Sequence, residues 1–196
     1  MEVYIIGNGG LSSEITSMCI RNNIKVNGYC VTDEKYRTKN TLLLLDIPVN
    51  SNVICAIGNP NSMQNIYENY PNLNYVNLID SDSIIYNSGF IIDSDGIVIS
   101  PLSIISNNVR IGNLTSINMM VTIGHDSVIG SYNYICPHVS ISGNVTIGDR
   151  CYIGSSASIK NGISICDDVI IGMGAVVVKD IDIAGTYVGN PARRKI

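Results

Sequence analysis

Ile105-Ser106-Asn107-Asn108-Val109-Arg110-Ile111-Gly112-Asn113-Leu114-Thr115-Ser116-Ile117 opens a run in which isoleucine returns at every sixth residue. The series continues through Ile123, Ile129, Ile135, Ile141, Ile147, Ile153, Ile159, Ile165 and Ile171 to Val177, and Ile99 extends it backward. Two residues before each stands a mostly small or apolar side chain, among them Val109, Thr115, Val121, Ser127, Val139, Cys151, Ala157 and Ala175. A period of six matches neither the 3.6 of a helix nor the 2 of a hairpin strand. It fits a short strand plus a turn, with one large aliphatic pointing inward per side. Glycine follows the isoleucine at positions 112, 124, 130, 148, 154 and 172, where it is expected to absorb unusual backbone angles. Three sides close a triangular coil of eighteen residues, and parallel coils stack at roughly 4.8 Å per rung. Residues 99 to 178 therefore supply four to five rungs. An antiparallel sandwich would need the spacing to be coincidence. The register from 99 to 177 has no insertion, so no loop extruded from a coil is available to cover an acceptor.

Working outward, the 196 residues leave room for one or two small domains. At 45% hydrophobic and 14% charged the chain is not intrinsically disordered. Twelve Lys+Arg against 16 Asp+Glu give a net charge of −4, which argues against a nucleic-acid binder. No apolar run reaches the length of a membrane span, and Met1-Glu2-Val3-Tyr4-Ile5-Ile6-Gly7 lacks a basic leader, so no membrane partner and a cytoplasmic location are expected. The six cysteines include no C-x-x-C pair and read as small core or wall residues.

The N-terminal part has another rhythm. Residues 3–6 read as a buried strand, Gly7-Asn8-Gly9-Gly10 as a tight loop, and 12–22 as a helix. Strands follow at 25–31 and 53–57, then a turn at Gly58-Asn59-Pro60, a helix at 61–69 and a last strand at 75–79. This is an α/β unit of Rossmann-like type over residues 1–80, ahead of a β-helix domain with its C-terminal tail over 81–196. Gly7-x-Gly9-Gly10 before a helix suits close approach of phosphate to backbone N–H groups. A structural β–α turn explains it as well, since Ser12 stands where G-x-G-x-x-G has its last glycine. Asp33, after the second strand, is placed to meet a ribose or base, or to cap the next turn.

An α/β unit ahead of hexapeptide coils, with Gly7-Asn8-Gly9-Gly10, Gly124-His125-Asp126-Ser127-Val128-Ile129-Gly130, Ser142-Gly143-Asn144-Val145-Thr146-Ile147-Gly148 and Val188-Gly189-Asn190-Pro191-Ala192, resembles the sialic acid O-acetyltransferase family. That family includes bacterial nucleotide-aminosugar N-acetyltransferases, and the match covers nearly the whole chain. The resemblance implies a left-handed parallel β-helix, a homotrimer, and acetyl-CoA as co-substrate in the grooves between β-helices, with no metal. It gives the α/β unit the nucleotide of a nucleotide sugar, UDP-linked by preference, with Gly7, Asn8, Gly9, Gly10, Asp33, Gly58, Asn59 and Asn118 as substrate-binding residues. One departure is Leu11, where family members often carry a histidine in the first loop.

Only His125 and His138 are available as a neutral-pH base. His125 falls two residues past Ile123, at a coil corner outside the core, and Asp126 beside it suits fixing its tautomer. Adding eighteen gives Gly143, one rung along, whose N–H is suited to an oxyanion. The resemblance carries the base onto His125, the assisting role onto Asp126 and the oxyanion contact onto Gly143. His138 has a different offset and reads as a wall or trimer-interface residue. Gly154, Ser155, Gly172, Met173, Gly174, Ala175 and Lys179 lie on later coils where pantetheine can approach backbone, and Pro191, Arg193 and Arg194 are placed for adenosine phosphates. Turn geometry and a solvated tail are the bland readings of the same residues.

The leading expectation is acetyl transfer from acetyl-CoA to the amino group of a nucleotide-linked 4-amino-4,6-dideoxy sugar, directly, with no acetyl-enzyme. The alternatives are O-acetylation of sialic acid or a related sugar, and a non-catalytic trimeric scaffold. A trimeric β-helix carbonic anhydrase needs three histidine ligands and finds two histidines in all.

Overall fold

The computed structural model describes residues 1–86 and 94–195; residues 87–93 and 196, within the expected second domain and its tail, lie outside the described residues. Five strands, β1 (Glu2–Ile6), β2 (Lys25–Val31), β3 (Thr41–Leu43), β4 (Asn52–Cys55) and β5 (Asn74–Tyr75), form an all-parallel sheet in the order β3-β2-β1-β4-β5. Helices α1 (Gly10–Arg21) and α2 (Pro60–Asn69) connect β1 to β2 and β4 to β5. The expected 75–79 strand is two pieces. Asn74–Tyr75 closes the sheet, whereas β6 (Leu78–Ile79) pairs with Val98–Ile99 and already belongs to the β-helix. The solenoid thus begins before residue 81, and one coil before the six-residue period becomes visible. From Ile79 to Ile99 is twenty residues rather than eighteen, and those two extra residues hide the first coil.

From Ile99 on, three stacks of two- and three-residue strands make the faces of a left-handed parallel β-helix. Ile117, Ile135, Ile153 and Ile171 pair in line up the first face, Ile123, Ile141, Ile159 and Val177 up the second, and Ile111, Ile129, Ile147 and Ile165 up the third. All are buried, and with the small residues two positions earlier they form one continuous core. Each buried isoleucine is worth about 1.5–3 kcal/mol relative to exposure, which is what fixes the register: a one-residue slip turns the whole column outward.

The glycines do not do what the period suggests. The left-handed backbone lies three residues after each isoleucine, at Leu102, Asn108, Leu114, Met120, Asp126, Tyr132, His138, Asn144, Arg150, Ser156 and Asp168, with glycine there only at 162 and 174. Such a conformation costs a non-glycine residue about 1–2 kcal/mol. It is offset by a repeating bond: from Leu114 onward each corner N–H donates to the carbonyl nineteen residues back, as Asp126 to Asn107 at 2.9 Å and Asn144 to His125 at 2.7 Å. Glycine directly after the isoleucine answers crowding between coils instead. A Cβ on Gly112 would stand 2.6 Å from the Gly130 carbonyl carbon, and one on Gly154 2.6 Å from the Met173 nitrogen.

The sheet packs on the first face. Leu78 and Val98 enter the cluster of Val3, Ile5, Ile15, Met18 and Ile54, and Leu114 enters that of Ile6, Val53, Met63, Ile66 and Tyr75. Arg21 Nη2 reaches Asp80 Oδ1 at 3.1 Å and also pairs with Asp82, tying the end of α1 to the first coil. Cys19, Cys30, Cys55, Cys136 and Cys151 are buried, Cys166 half-buried, and all six are free.

Candidate active site and nucleotide crevice

The corner between the second and third faces carries Asn107, His125, Gly143, Asn161 and Lys179 in one column, each two residues past a buried aliphatic of the second face. The coil lifts His125 out of the core, leaving its side chain 59% exposed. The left-handed backbone at Asp126 turns that carboxylate back toward it: His125 Nδ1 and Asp126 Oδ2 are 2.7 Å apart. Asn108, one coil below, donates from Nδ2 to Asp126 Oδ1 at 2.9 Å. These two bonds, Asn108 first, hold the Asp126 carboxyl below the usual carboxylate range, so it is ionised at neutral pH and its Oδ2 selects the His125 tautomer with Nδ1 protonated. Nε2 is then the lone-pair nitrogen, and it faces Gly143: a Cβ there would lie 2.7 Å away. The missing side chain makes room for the imidazole. Among the described residues the Gly143 N–H has no acceptor. The sequence reading brought His125, Asp126 and Gly143 together but overlooked Asn108, which the same step of eighteen from Asp126 finds.

Along the same corner column, Lys179 lines a cleft of about 310 Å³ with Arg193 and Arg194, which arrive on a C-terminal hairpin, Gly185–Val188 with Arg193–Arg194. Gly174 has φ +67° with open space around it, and Ser155 is half-buried. The other cofactor candidates are differently placed. Ala175 is sealed in the core, and its backbone N–H and carbonyl are taken by Gly172 and Ser158. Gly154 packs beneath Met173 and Gly172 beneath Val188, because neither leaves space for a Cβ. Pro191 is exposed outside the cleft's lining. His138 is an exposed corner residue between the first and second faces.

A second cavity, about 360 Å³, opens at the carboxyl ends of β1, β2 and β4, where chain crossovers to the two sides of β1 diverge, the place where open parallel sheets bind ligands. Gly7, Asn8, Gly9, Gly58 and Asn59 line it together with Thr32, Tyr36 and Ser62, which sequence reasoning missed. Gly7 is obligatory: its φ is +124°, and a Cβ would meet the Ala56 carbonyl oxygen at 2.7 Å. The helix ends differ. Asn59 Oδ1 accepts from Ser62 N at 2.9 Å and caps α2, whereas Gly9 gives α1 no side-chain cap, leaving its first N–H groups for a ligand. Three candidates stand apart from the lining. Gly10 opens α1. Asp33 caps the short 3-10 turn Glu34–Tyr36, accepting from Lys35 N at 3.0 Å and pairing with Lys35 Nζ at 3.1 Å. Asn118 is buried at the junction, donating to the Ile135 carbonyl at 2.9 Å.

Burial pushes the Cys19 thiol up to about 11 and those of Cys30, Cys55 and Cys151 up to about 12, so none of these is a thiolate nucleophile at neutral pH. No group of three His, Cys, Asp or Glu able to hold a metal occurs among the described residues. Nor, among them, is any helix long and apolar enough to cross a membrane.

The hexad core and its stacked corners are those of a hexapeptide-repeat β-helix. The profile of the bacterial transferase hexapeptide (six repeats) matches residues 126–161, and that of the hexapeptide repeat of succinyl-transferase matches 144–179. Together the two profiles span residues 126–179, the later coils of the β-helix. PerB from Caulobacter crescentus, solved with CoA and GDP-perosamine, superposes with a TM-score of 0.90 at 24% identity, over 100% of this chain and 97% of that one. The acetyltransferase domain of PglB from Neisseria gonorrhoeae FA1090 gives 0.87 at 22%, over 99% of each. WeeI from Acinetobacter baumannii AYE gives 0.84 at 24%, over all of both. At these identities the likeness speaks to the fold. Among curated proteins no match to the sequence is found.

Proposed function

We propose that the protein is an acetyl-CoA-dependent N-acetyltransferase acting on the amino group of a nucleotide-linked 4-amino-4,6-dideoxy sugar. The observation that carries the reading is the corner His125–Asp126–Gly143, a tautomer-fixed imidazole whose free nitrogen faces a glycine with an unused N–H. His125 Nε2 takes the proton of the attacking amine as nitrogen bonds to the thioester carbon. Asp126, held by Asn108, compensates the imidazolium that forms. The Gly143 N–H is the donor for the carbonyl oxygen as it gains charge. The C–S bond then breaks, and His125 returns the proton to the departing thiolate. High thiol pKa values favour direct transfer over an acetyl-cysteine.

Residues 1–80, read as a Rossmann-like unit whose last residues already enter the first coil, hold the nucleotide in the crevice, UDP-linked by preference. Its diphosphate lies at Gly7–Gly9 and the uncapped start of α1. Residues 81–196 supply the catalytic corner, with Lys179, Arg193 and Arg194 as the cationic seat for CoA phosphates. The sheet packs on the first face, whereas His125 stands on the opposite edge of the prism, between the second and third faces. A crevice therefore meets a His125 corner from another copy, which supports the homotrimer. The similar proteins solved with CoA and GDP-perosamine support the substrate class. A cytoplasmic location suits an enzyme fed by both substrates.

The test is CoA release from acetyl-CoA with UDP-4-amino-4,6-dideoxyglucose, followed with a thiol reagent, in wild type and His125→Ala. Wild type releases CoA; the variant is slowed about 10²–10⁴-fold with an unchanged melting temperature. An undiminished variant overturns His125 as the base. Release with a sialic acid and not with any UDP-, dTDP- or GDP-linked aminosugar overturns N-acetylation in favour of O-acetylation. No release with any of them leaves the scaffold.

A further inference from the structure

Tyr36 lines the crevice, yet no part of the proposed chemistry uses it. Its ring is large, apolar and open: the residue is 54% exposed, on a chain with few other aromatics at this cavity. Exposing a tyrosine face to water forgoes the burial that an aromatic side chain ordinarily gains. The turn that carries the ring is, moreover, fixed at both its backbone and its neighbouring side chain. The 3-10 turn that carries it is capped by Asp33. The same Asp33 pairs with Lys35, whose Nζ sits over one face of the Tyr36 ring, 4.8 Å from its centroid. The Tyr36 carbonyl accepts from Asn8 Nδ2 at 3.0 Å, which ties this turn across the crevice to the Gly7–Gly9 loop. One ring face is thus backed by a cation and the residue is anchored to the loop that would hold phosphate.

We infer that Tyr36 is the stacking platform for the nucleobase of the bound nucleotide, supported from behind by the Asp33–Lys35 pair. The inference rests on the nucleotide-sugar reading of the crevice and deepens it. With the diphosphate at the start of α1, the base lies toward the end of β2, where the chain runs from Thr32 into this turn. A base stacked on Tyr36 covers an apolar ring, and the electron-rich face behind it is already satisfied by the Lys35 ammonium. Asp33 then contributes without touching ligand: it is a positioning residue, fixing Lys35 and the turn. Stacking tolerates every base, since each has a π-face. Tyr36 accordingly supplies affinity for a nucleotide over a bare phosphate and leaves the choice among bases to hydrogen-bonding groups.

Titration calorimetry with UDP, GDP, dTDP and inorganic pyrophosphate tests this on wild type, Tyr36→Ala and Tyr36→Phe. Expected is a loss of about 10- to 100-fold in UDP affinity for Tyr36→Ala, unchanged pyrophosphate affinity, and UDP affinity within about threefold of wild type for Tyr36→Phe. Equal UDP affinity in wild type and Tyr36→Ala overturns the platform and leaves the nucleotide site standing. An equal fall for pyrophosphate and UDP also overturns it, because the residue would then be shaping the phosphate loop. A Phe variant as weak as the Ala variant assigns the effect to the hydroxyl rather than the ring. Wild type that binds none of the three nucleotides removes the nucleotide reading and the platform together. The half-exposed position allows each variant to fold, which its melting temperature checks.

Discussion

In the solenoid each coil repeats one solution eighteen residues long, while in the sheet every strand is solved separately. Ile117, Ile135 and Ile153 occupy equivalent environments, pairing with one another and buried alike. Ile5, Ile6 and Ile54 are as thoroughly buried, but in two clusters of different composition on opposite sides of the sheet. The repeat places exposed side chains at fixed heights on an edge, which suits a reacting group that must be held at a set distance from others. The sheet instead leaves an irregular hollow at its strand ends, which suits a ligand of irregular shape. Catalytic and recognition candidates divide accordingly: His125, Gly143 and Lys179 on the solenoid, Gly7, Asn8 and Tyr36 on the sheet.

The sharpest way to break this comparison is core truncation. Ile117→Ala, Ile135→Ala and Ile153→Ala are each expected to cost about 2–5 kcal/mol, and by the same amount to within about 0.5 kcal/mol, read from urea midpoints at constant slope. Unequal costs would mean that the coils are not equivalent. Next come the glycines. Gly112→Ala, opposed by backbone of the next coil, is expected to cost about 1–3 kcal/mol. Gly162→Ala, with open space and φ +72°, should cost only the backbone term, about 1 kcal/mol. Equal costs would deny that crowding and backbone angle are separate demands at separate positions. The smallest effect is electrostatic. Arg150 Nε donates to Asp168 Oδ1 at 2.8 Å and holds that carboxyl below its ordinary value. Because the folded pKa lies below the unfolded one, the stabilisation is present above the unfolded value and is lost as pH falls through the folded one, below about pH 4. Asp168 is largely solvated, so screening reduces the effect to about 0.5 kcal/mol. It should appear as a steeper acid loss of melting temperature in wild type than in Asp168→Asn.

How much was legible follows from the same contrast. The β-helix could be read because its core repeats at a fixed interval, and the His125–Gly143 neighbourhood because coils stack at that interval. The first coil was hidden by two additional residues. The left-handed corners were invisible because most are occupied by ordinary side chains, made tolerable by an inter-coil bond that sequence does not display. In the sheet the loop glycines marked the crevice, since Gly7 has no alternative. Tyr36 left no such mark: its place depends on a three-residue turn, on Asp33 facing Lys35 rather than the cavity, and on a bond from Asn8. Ala175 and Asn118 turn out buried in the core and at the junction, since residues suited to lining a site are equally suited to filling either.

The inter-coil ladder also makes the protein a length standard. His125 and Lys179 stand on one edge three coils apart, so about 14 Å of edge separates the proposed base from the proposed phosphate seat. Because each corner is satisfied by the coil before it, eighteen residues can be gained or lost as a unit without orphaning a corner N–H. The span between the two ends of an extended co-substrate site would then change in steps of about 4.8 Å, never continuously. Lineages built on such an edge are left to adjust acyl or carrier length by whole coils, and everything finer by side chains.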